Sequence, residues 1–258
     1  MKWMPFIAAI VLGIFTAGCV TDFTVDHPAQ KDALDQLMQR MENAVNPDRK
    51  PLPPGMRVKV TSVMGKLGIT MAGEVICTME PFRTCSVAGM PGMPRIIELY
   101  DGAKGWNIIE ETSIKELDGA ELMQLRFLGE LNWVSDLRTV FSPLTLDQEP
   151  LEINGKQYLR LVGTPEKYPA LGTMEFLVDP ETALIFRSKY TVHSAFGKIP
   201  VENYSYDYRK FGSLMLPERT VSKTLGDEVV TTLLEVTPVS SVPPEMFDAQ
   251  KWFEGDDK

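Results

Sequence analysis

Cysteine chemistry is the chemistry that this sequence constrains most closely. Cys19 follows an apolar run from Trp3 to Thr16 and two small residues, and Lys2 supplies a positive charge at the start. This order predicts a bacterial signal peptide over residues 1–18 that is cleaved directly before Cys19, which is then diacylated. The alternatives are an ordinary secreted protein cleaved nearby and an uncleaved anchor, although the apolar run is shorter than the ~20 residues that span a bilayer.

Acylation at Cys19 predicts a membrane anchor and a place in the bacterial cell envelope. Several acyl chains on one residue hold a protein stably on a membrane, whereas a single chain holds it only marginally. Val20 follows Cys19, at the position where an aspartate marks inner-membrane retention in some bacteria. We therefore expect a lipoprotein of the outer membrane rather than the inner one, with a tether over residues 19–30 and a domain that faces the periplasm.

The other two cysteines, Cys77 and Cys85, flank a short segment that is typical of a hairpin turn. Disulfides persist outside the cytoplasm, and hairpin arms of equal length would place the two residues opposite each other. The sequence therefore predicts a Cys77–Cys85 disulfide, with two thiols as the alternative. His27 and His193 are isolated and no Cys-x-x-Cys occurs, so we expect no metal site.

Composition and motifs argue against several classes of function. The chain of 258 residues has a formal net charge of −9 and no basic cluster, which disfavours binding of nucleic acid or of anionic lipid by charge. No serine-hydrolase elbow, zinc-protease motif or phosphate-binding loop occurs. The adjacent carboxylates Glu110 and Glu111 would point to opposite faces of a strand. We expect a binding protein rather than an enzyme, and no cofactor.

Hydrophobic spacing divides the chain into a helix, two series of strands and a helical insertion. Apolar residues recur at intervals of three and four over 31–45, which predicts a helix. Alternation begins at Met56, stops over an apolar helical insertion at 118–141 that is divided near Gly129, and resumes as far as Val239. Short connections predict antiparallel pairing. The predicted fold class is α+β, mainly β: a strongly curved antiparallel sheet, or half barrel, of about 11 strands with helices over its concave face.

The order of these elements resembles that of the LolA/LolB-like proteins, the periplasmic carriers and receptors of outer-membrane lipoproteins. The segments that carry the resemblance are GEVICTMEPFR from Gly73, YDGAKGW at 100–106, GTMEFLVDPETALIFRSKY at 172–190 and NYSYDYRKFGSLMLPERT at 203–220. The resemblance extends over one domain, 31–248, and leaves 249–258 as a charged tail. It implies a half barrel with a helical lid over an apolar cavity that accepts acyl chains.

A ligand site is expected between the concave face of the sheet and the helical insertion. Arg83 is the basic residue that matches arginines holding the lid closed in the carrier. Alternating strand positions and the insertion supply the other candidates, which are Val58, Val60, Leu125, Leu128, Trp133, Leu137, Leu159, Leu161, Met174, Phe176, Val178, Ile185 and Tyr190. The same residues could instead form a closed core.

These features predict a lipid-anchored periplasmic protein that binds a hydrophobic or acylated ligand, in lipoprotein or lipid sorting. A protein fixed to one membrane does not diffuse as a shuttle does, so we expect a receptor, an acceptor or a fixed binding protein. The alternative is a non-catalytic accessory lipoprotein whose half barrel is filled and whose rim binds another envelope protein. An envelope hydrolase would need clustered polar residues in the cavity, and we expect none there.

Overall fold

The structure, a computed structural model, describes residues 28–131, 136–194 and 197–255. The predicted signal peptide, the predicted acylation site Cys19, the tether as far as residue 27, and Trp133 lie outside the described residues. Helix α1 spans Pro28–Val45, and its buried residues Leu37, Met38 and Met41 lie on one face. This confirms the helix that the spacing of three and four residues predicts.

The strands of the described chain form one antiparallel sheet of 14 strands. They are β1 (Gly55–Met64), β2 (Ile69–Met79), β3 (Phe82–Gly89), β4 (Ile96–Tyr100), β5 (Gly105–Ile109), β6 (Ser113–Leu117), β7 (Phe141–Leu146), β8 (Leu151–Ile153), β9 (Lys156–Pro165), β10 (Met174–Val178), β11 (Ile185–Ser194), β12 (Gly197–Phe211), β13 (Leu214–Thr224) and β14 (Asp227–Val239). The sheet is not closed, and it curves into a half barrel. The predicted fold class is confirmed.

The first and last strands pair at the middle of the sheet. Strand β1 lies between β2 and β14, so the order runs from β6 through β1 and β14 to β9 and β7, with β8 beside β9. Strands β6 and β7 are therefore the two ends of this order. The chain passes between them through helix α2 (Gly119–Leu131) and a short 3-10 turn at Leu137–Thr139. The insertion thus links both edges of the half barrel, as a cover over its concave face.

The insertion differs from the prediction at its end and at Gly129. Gly129 lies inside α2 and does not divide it, because the glycine permits a close approach: a Cβ there would lie 2.6 Å from Cζ of Phe82. Phe141 begins β7 rather than ending a helix, since it pairs with Pro165 of β9. The apolar residues around Phe141 follow a pattern typical of a helix, but pairing with β9 makes Phe141 part of a strand.

The predicted Cys77–Cys85 disulfide is wrong, because the hairpin register is offset by one residue. Cys77 lies opposite Thr84, and Cys85 lies opposite Ile76. Successive side chains of a strand point to opposite faces, so an offset of one residue places the two thiols on opposite sides of the sheet. Cys77 packs in a cluster with Val58 and Val60, whereas Cys85 belongs to a cluster on the other face.

The chain end differs from the predicted charged tail over 249–258. A 3-10 turn at Pro244–Phe247 and helix α3 (Ala249–Glu254) pack against the convex face of β3, β4 and β5. Asp248 caps α3 by accepting hydrogen bonds from the backbone amides of Gln250 and Lys251. Among the described helices, none combines the length and the apolar character that a membrane crossing requires.

Candidate functional site

The described candidate residues on the concave face fall into three apolar clusters. The largest packs under α1 and α2 and contains Leu128, Leu137, Leu161, Met174, Phe176, Val178 and Tyr190, with the partly buried Leu159 and Ile185 against it. Val58 and Val60 belong to a second cluster, and Leu125 of α2 belongs to a third with Tyr100 and Leu117. The nine candidates of the largest cluster lie together, and Val58, Val60 and Leu125 lie apart from them. Contact between any of these residues and a ligand stays a prediction.

Arg83 lies on the convex face, away from the lid, so its expected position is wrong. Its guanidinium carbon is 5.7 Å from the centroid of the Phe247 ring, within the chain-end segment. The next residue, Thr84, points the other way, because its methyl group would be 3.6 Å from a Cβ placed at Gly129 of α2. The alternation of strand side chains therefore separates Arg83 from the insertion.

Helix α2 is attached to both halves of the sheet. On one side it packs against Phe82 and Gly105, where a Cβ on Gly105 would lie 2.9 Å from Leu122. On the other side Gln124 Oε1 accepts a hydrogen bond of 2.6 Å from the backbone N–H of His193 in β11. A helix held at both walls covers the space between them.

A row of polar side chains crosses β3, β4 and β5 beneath this helix. Ser86 pairs with Glu98, and Glu98 pairs with Asn107. Each lies two positions along its strand from a residue that packs against α2: Thr84, Tyr100 and Gly105. Positions two apart share a face, so Ser86, Glu98 and Asn107 point to the concave side. We call these three residues the polar row.

Each residue of the polar row has a buried polar atom without a hydrogen-bond partner, and Asn107 as a whole is half-buried. Ser86 is 2% exposed and Glu98 is 9% exposed. The Ser86 Oγ, Glu98 Oε2 and Asn107 Oδ1 atoms have no hydrogen bond among the described residues. Burial raises the pKa of Glu98 to about 8, and the charge of Glu121 in α2 adds to this effect. Buried polar atoms are normally bonded, so three adjacent exceptions require an explanation.

The opposite wall of the half barrel also carries polar groups. Tyr190 of β11 is 1% exposed, and burial raises its pKa to about 12, while Asn203 lowers it and the charge of Glu98 raises it. Asn203, Ser205 and Ser222 are buried on the neighbouring strands.

A pocket of about 250 Å³ opens at the end of the polar row. Its lining residues are Lys115, Asp118, Ala120, Glu121, His193, Gly197 and Lys198. Lys115 pairs with Asn107 in the sheet register, and its Nζ lies 2.5 Å from Glu121 Oε2. Burial lowers the pKa of His193, and the charge of Lys198 lowers it further. The described residues include no group of three or more His, Cys, Asp or Glu that could hold a metal.

The polar row was not predicted from the sequence, although one signal was present. Glu98 interrupts the otherwise apolar segment IIELY, and Asn107 similarly interrupts GWNII. A charged residue in a short apolar strand faces either solvent or a polar interior. The expectation that the cavity would lack clustered polar residues is therefore wrong.

No protein-family model matches the sequence, and a comparison with curated proteins finds no match. Among solved structures, a domain from Vibrio parahaemolyticus that is named for outer membrane lipoprotein sorting aligns with a TM-score of 0.56 at 8% identity. A DUF1329 family protein from Desulfovibrio piger aligns with a TM-score of 0.57 at 13% identity, over 86% of this chain and 98% of its own.

A LolA superfamily protein from Nitrosomonas europaea aligns with a TM-score of 0.56 at 11% identity. The Vibrio and Nitrosomonas alignments each cover 84% of this chain and 98% of the solved one. At such identities the likeness concerns the fold. The predicted resemblance is confirmed at that level: this chain has the curved-sheet fold of LolA superfamily structures.

Proposed function

We propose that this protein is a lipid-anchored lipoprotein of the cell envelope that binds a hydrophobic or acylated ligand inside its half barrel, without catalysis. The observation that carries the proposal is the divided interior of the concave face. Its apolar side chains form separate clusters around buried polar atoms that lack partners. A domain filled by its own side chains usually has one contiguous core and bonded polar groups.

The cover of the half barrel supports the same proposal. Within the ranges that the structure describes, helices α1 and α2 and short turns lie over a face made by 14 strands, and α2 joins both edges of the sheet. Ligand sites form in concave regions with mostly apolar walls and a few polar groups that fix orientation. The apolar clusters would hold the hydrocarbon part of a ligand.

Native mass spectrometry of the full-length protein, purified from the envelope in detergent, tests ligand binding. We expect a bound mass that organic solvent extracts as a lipid or an acylated molecule. A protein that remains without lipid, and that binds no added phospholipid or acylglycerol, would overturn the proposal. A stoichiometric protein partner with no bound lipid would favour the accessory lipoprotein instead.

Labelling of cells with radioactive palmitate tests the anchor. We expect incorporation into the wild-type chain, loss of the label and of membrane association in Cys19→Ala, and full labelling in the matched variant Cys85→Ala. Equal labelling of Cys19→Ala and wild type would show that Cys19 is not the acylated residue. Fractionation of inner and outer membranes in the same cells reports which membrane holds the protein; we expect the outer one.

A further inference from the structure

The polar row has buried polar atoms on three adjacent strands, and a pocket lies at one end of it. Residues directly opposite each other on antiparallel strands have Cβ atoms roughly 5 Å apart, so Ser86, Glu98 and Asn107 form a short continuous strip. The same register continues to Lys115, which lines the pocket. Glu121 lies at that pocket as well and acts on Glu98 through its charge. The strip therefore runs from the pocket into the interior beneath α2.

The atoms without partners define what the strip can recognise. Asn107 Oδ1 and, in the ionised carboxylate, Glu98 Oε2 are acceptors of hydrogen bonds, and Ser86 Oγ both donates and accepts. A bound group would therefore complete the strip by supplying donors, such as hydroxyls or amide N–H groups. A carboxylate or a phosphate would supply acceptors only, and above the raised pKa of Glu98 it would bring negative charge toward Glu121 and the ionised Glu98.

We infer that the polar row binds the polar end of an amphiphile that carries hydrogen-bond donors and no negative charge. This inference rests on the proposed function and specifies its ligand class. The polar end lies against Ser86, Glu98 and Asn107, and the hydrocarbon part lies along the apolar clusters. Glu98 is the residue that determines specificity, because its ionised carboxylate accepts from a donor and repels an anion.

Two probes with the same hydrocarbon chain test the ligand class. Full-length protein in detergent is titrated at pH 9, above the raised pKa of Glu98, with 1-monopalmitoylglycerol or with palmitate, and bound fractions are measured by native mass spectrometry. We expect wild type to bind the glyceride about tenfold more tightly than palmitate, since a hydrogen bond to a buried charged or polar group commonly changes affinity by that factor.

Variants at the row connect this preference with the residues. In Glu98→Leu we expect the preference to disappear through weaker binding of the glyceride, and in Glu98→Gln we expect palmitate to bind more tightly while the glyceride changes little. Ser86→Ala reports on the same strip with a smaller change of volume. Glu116→Gln is the matched control, because Glu116 is exposed on the neighbouring strand β6 and pairs with Lys104 at the surface.

The outcomes separate this inference from the proposed function. Equal binding of both probes by wild type, with no change in Glu98→Leu or Ser86→Ala, would overturn the inference and leave hydrophobic binding intact. Tighter binding of palmitate would overturn it as well. Failure of wild type to bind either probe or any extracted lipid would overturn both the inference and the proposed function.

Discussion

The two faces of strands β3, β4 and β5 are built from alternate residues of the same segments, yet they differ in polarity and in how completely their polar atoms are hydrogen-bonded. The convex face carries Cys85, Ile97, Leu99 and Ile108, and the chain-end segment with Phe247 covers them. The concave face carries the polar row and three buried polar atoms without partners. The convex face is mainly an apolar core, in which Arg83 Nε is the buried atom without a hydrogen-bond partner among the described residues, whereas the concave face of these strands has three such atoms in adjacent positions.

Under the proposed function, the strands serve stability on one side and recognition on the other. Ile97 and Leu99 are fully buried at 0% exposure, with Glu98 between them on the opposite face. A sheet that needed only to be stable would be more stable with an apolar residue at Glu98, because a buried polar group without a partner costs free energy. We expect substitutions to reduce stability on the convex face and to increase it at the polar row.

The largest effect is expected from Phe247→Ala. The change removes a buried ring that packs in the convex cluster and stacks with Arg83. We expect the free energy of unfolding of the full-length protein to fall by about 3–5 kcal/mol, which is typical of a buried Phe→Ala substitution. Urea unfolding followed by tryptophan fluorescence measures it.

Leu225→Ala is the control for Phe247→Ala, because Leu225 is 62% exposed at the turn between β13 and β14. Its free energy of unfolding should change by less than about 0.5 kcal/mol. A loss below about 1 kcal/mol for Phe247→Ala would show that the chain-end segment does not complete the convex core.

A smaller effect with the opposite sign is expected from Glu98→Gln, and it should depend on pH. The carboxyl pKa rises from 4.5 to about 8 on folding, so the folded state binds the additional proton between these values. The wild type is therefore destabilised as pH rises through this range, relative to a variant that cannot ionise. We expect Glu98→Gln to match wild type near pH 5 and to exceed its free energy of unfolding by about 2–3 kcal/mol at pH 7.

Unfolding curves at pH 5, 7 and 8.5 measure this dependence, and Glu116→Gln should show none of it. The charge of Glu121 contributes to the pKa of Glu98, so Glu121→Gln should reduce the difference between Glu98→Gln and wild type. A difference between Glu98→Gln and wild type that stays constant from pH 5 to 8.5 would contradict a raised pKa for Glu98.

The sequence predicted the regular parts of this molecule and missed those that depend on register. Periodicity was sufficient for α1 and for most strands, because each period reports which face of an element is buried. It could not show that Cys77 lies opposite Thr84, since an offset of one residue leaves the alternation of both strands unchanged. Nor could it show that helix α3 covers the convex face, or that Glu98 and Asn107 are neighbours. These features depend on which strands pair.

The last test of the two faces is chemical labelling of Cys85, which measures a reaction rate instead of a free energy of unfolding. Burial raises the pKa of the Cys85 thiol from 9.0 to about 12, so the thiolate that reacts with iodoacetamide is scarce at pH 8. Three pKa units correspond to a reaction roughly 1,000-fold slower in the folded protein than in urea at the same pH. Mass spectrometry of the Cys85 peptide after timed alkylation measures both rates.

Labelling within tenfold of the urea rate would mean that the chain-end segment opens readily and that the convex face is not sealed. A peptide linked between Cys77 and Cys85 in the same map would contradict the hairpin register itself, and with it the placement of Glu98 on the concave face. Slow labelling without that link would instead place Cys85 in the closed convex core, because only the observed register directs Cys85 toward Phe247 while Thr84 and Ser86 face α2.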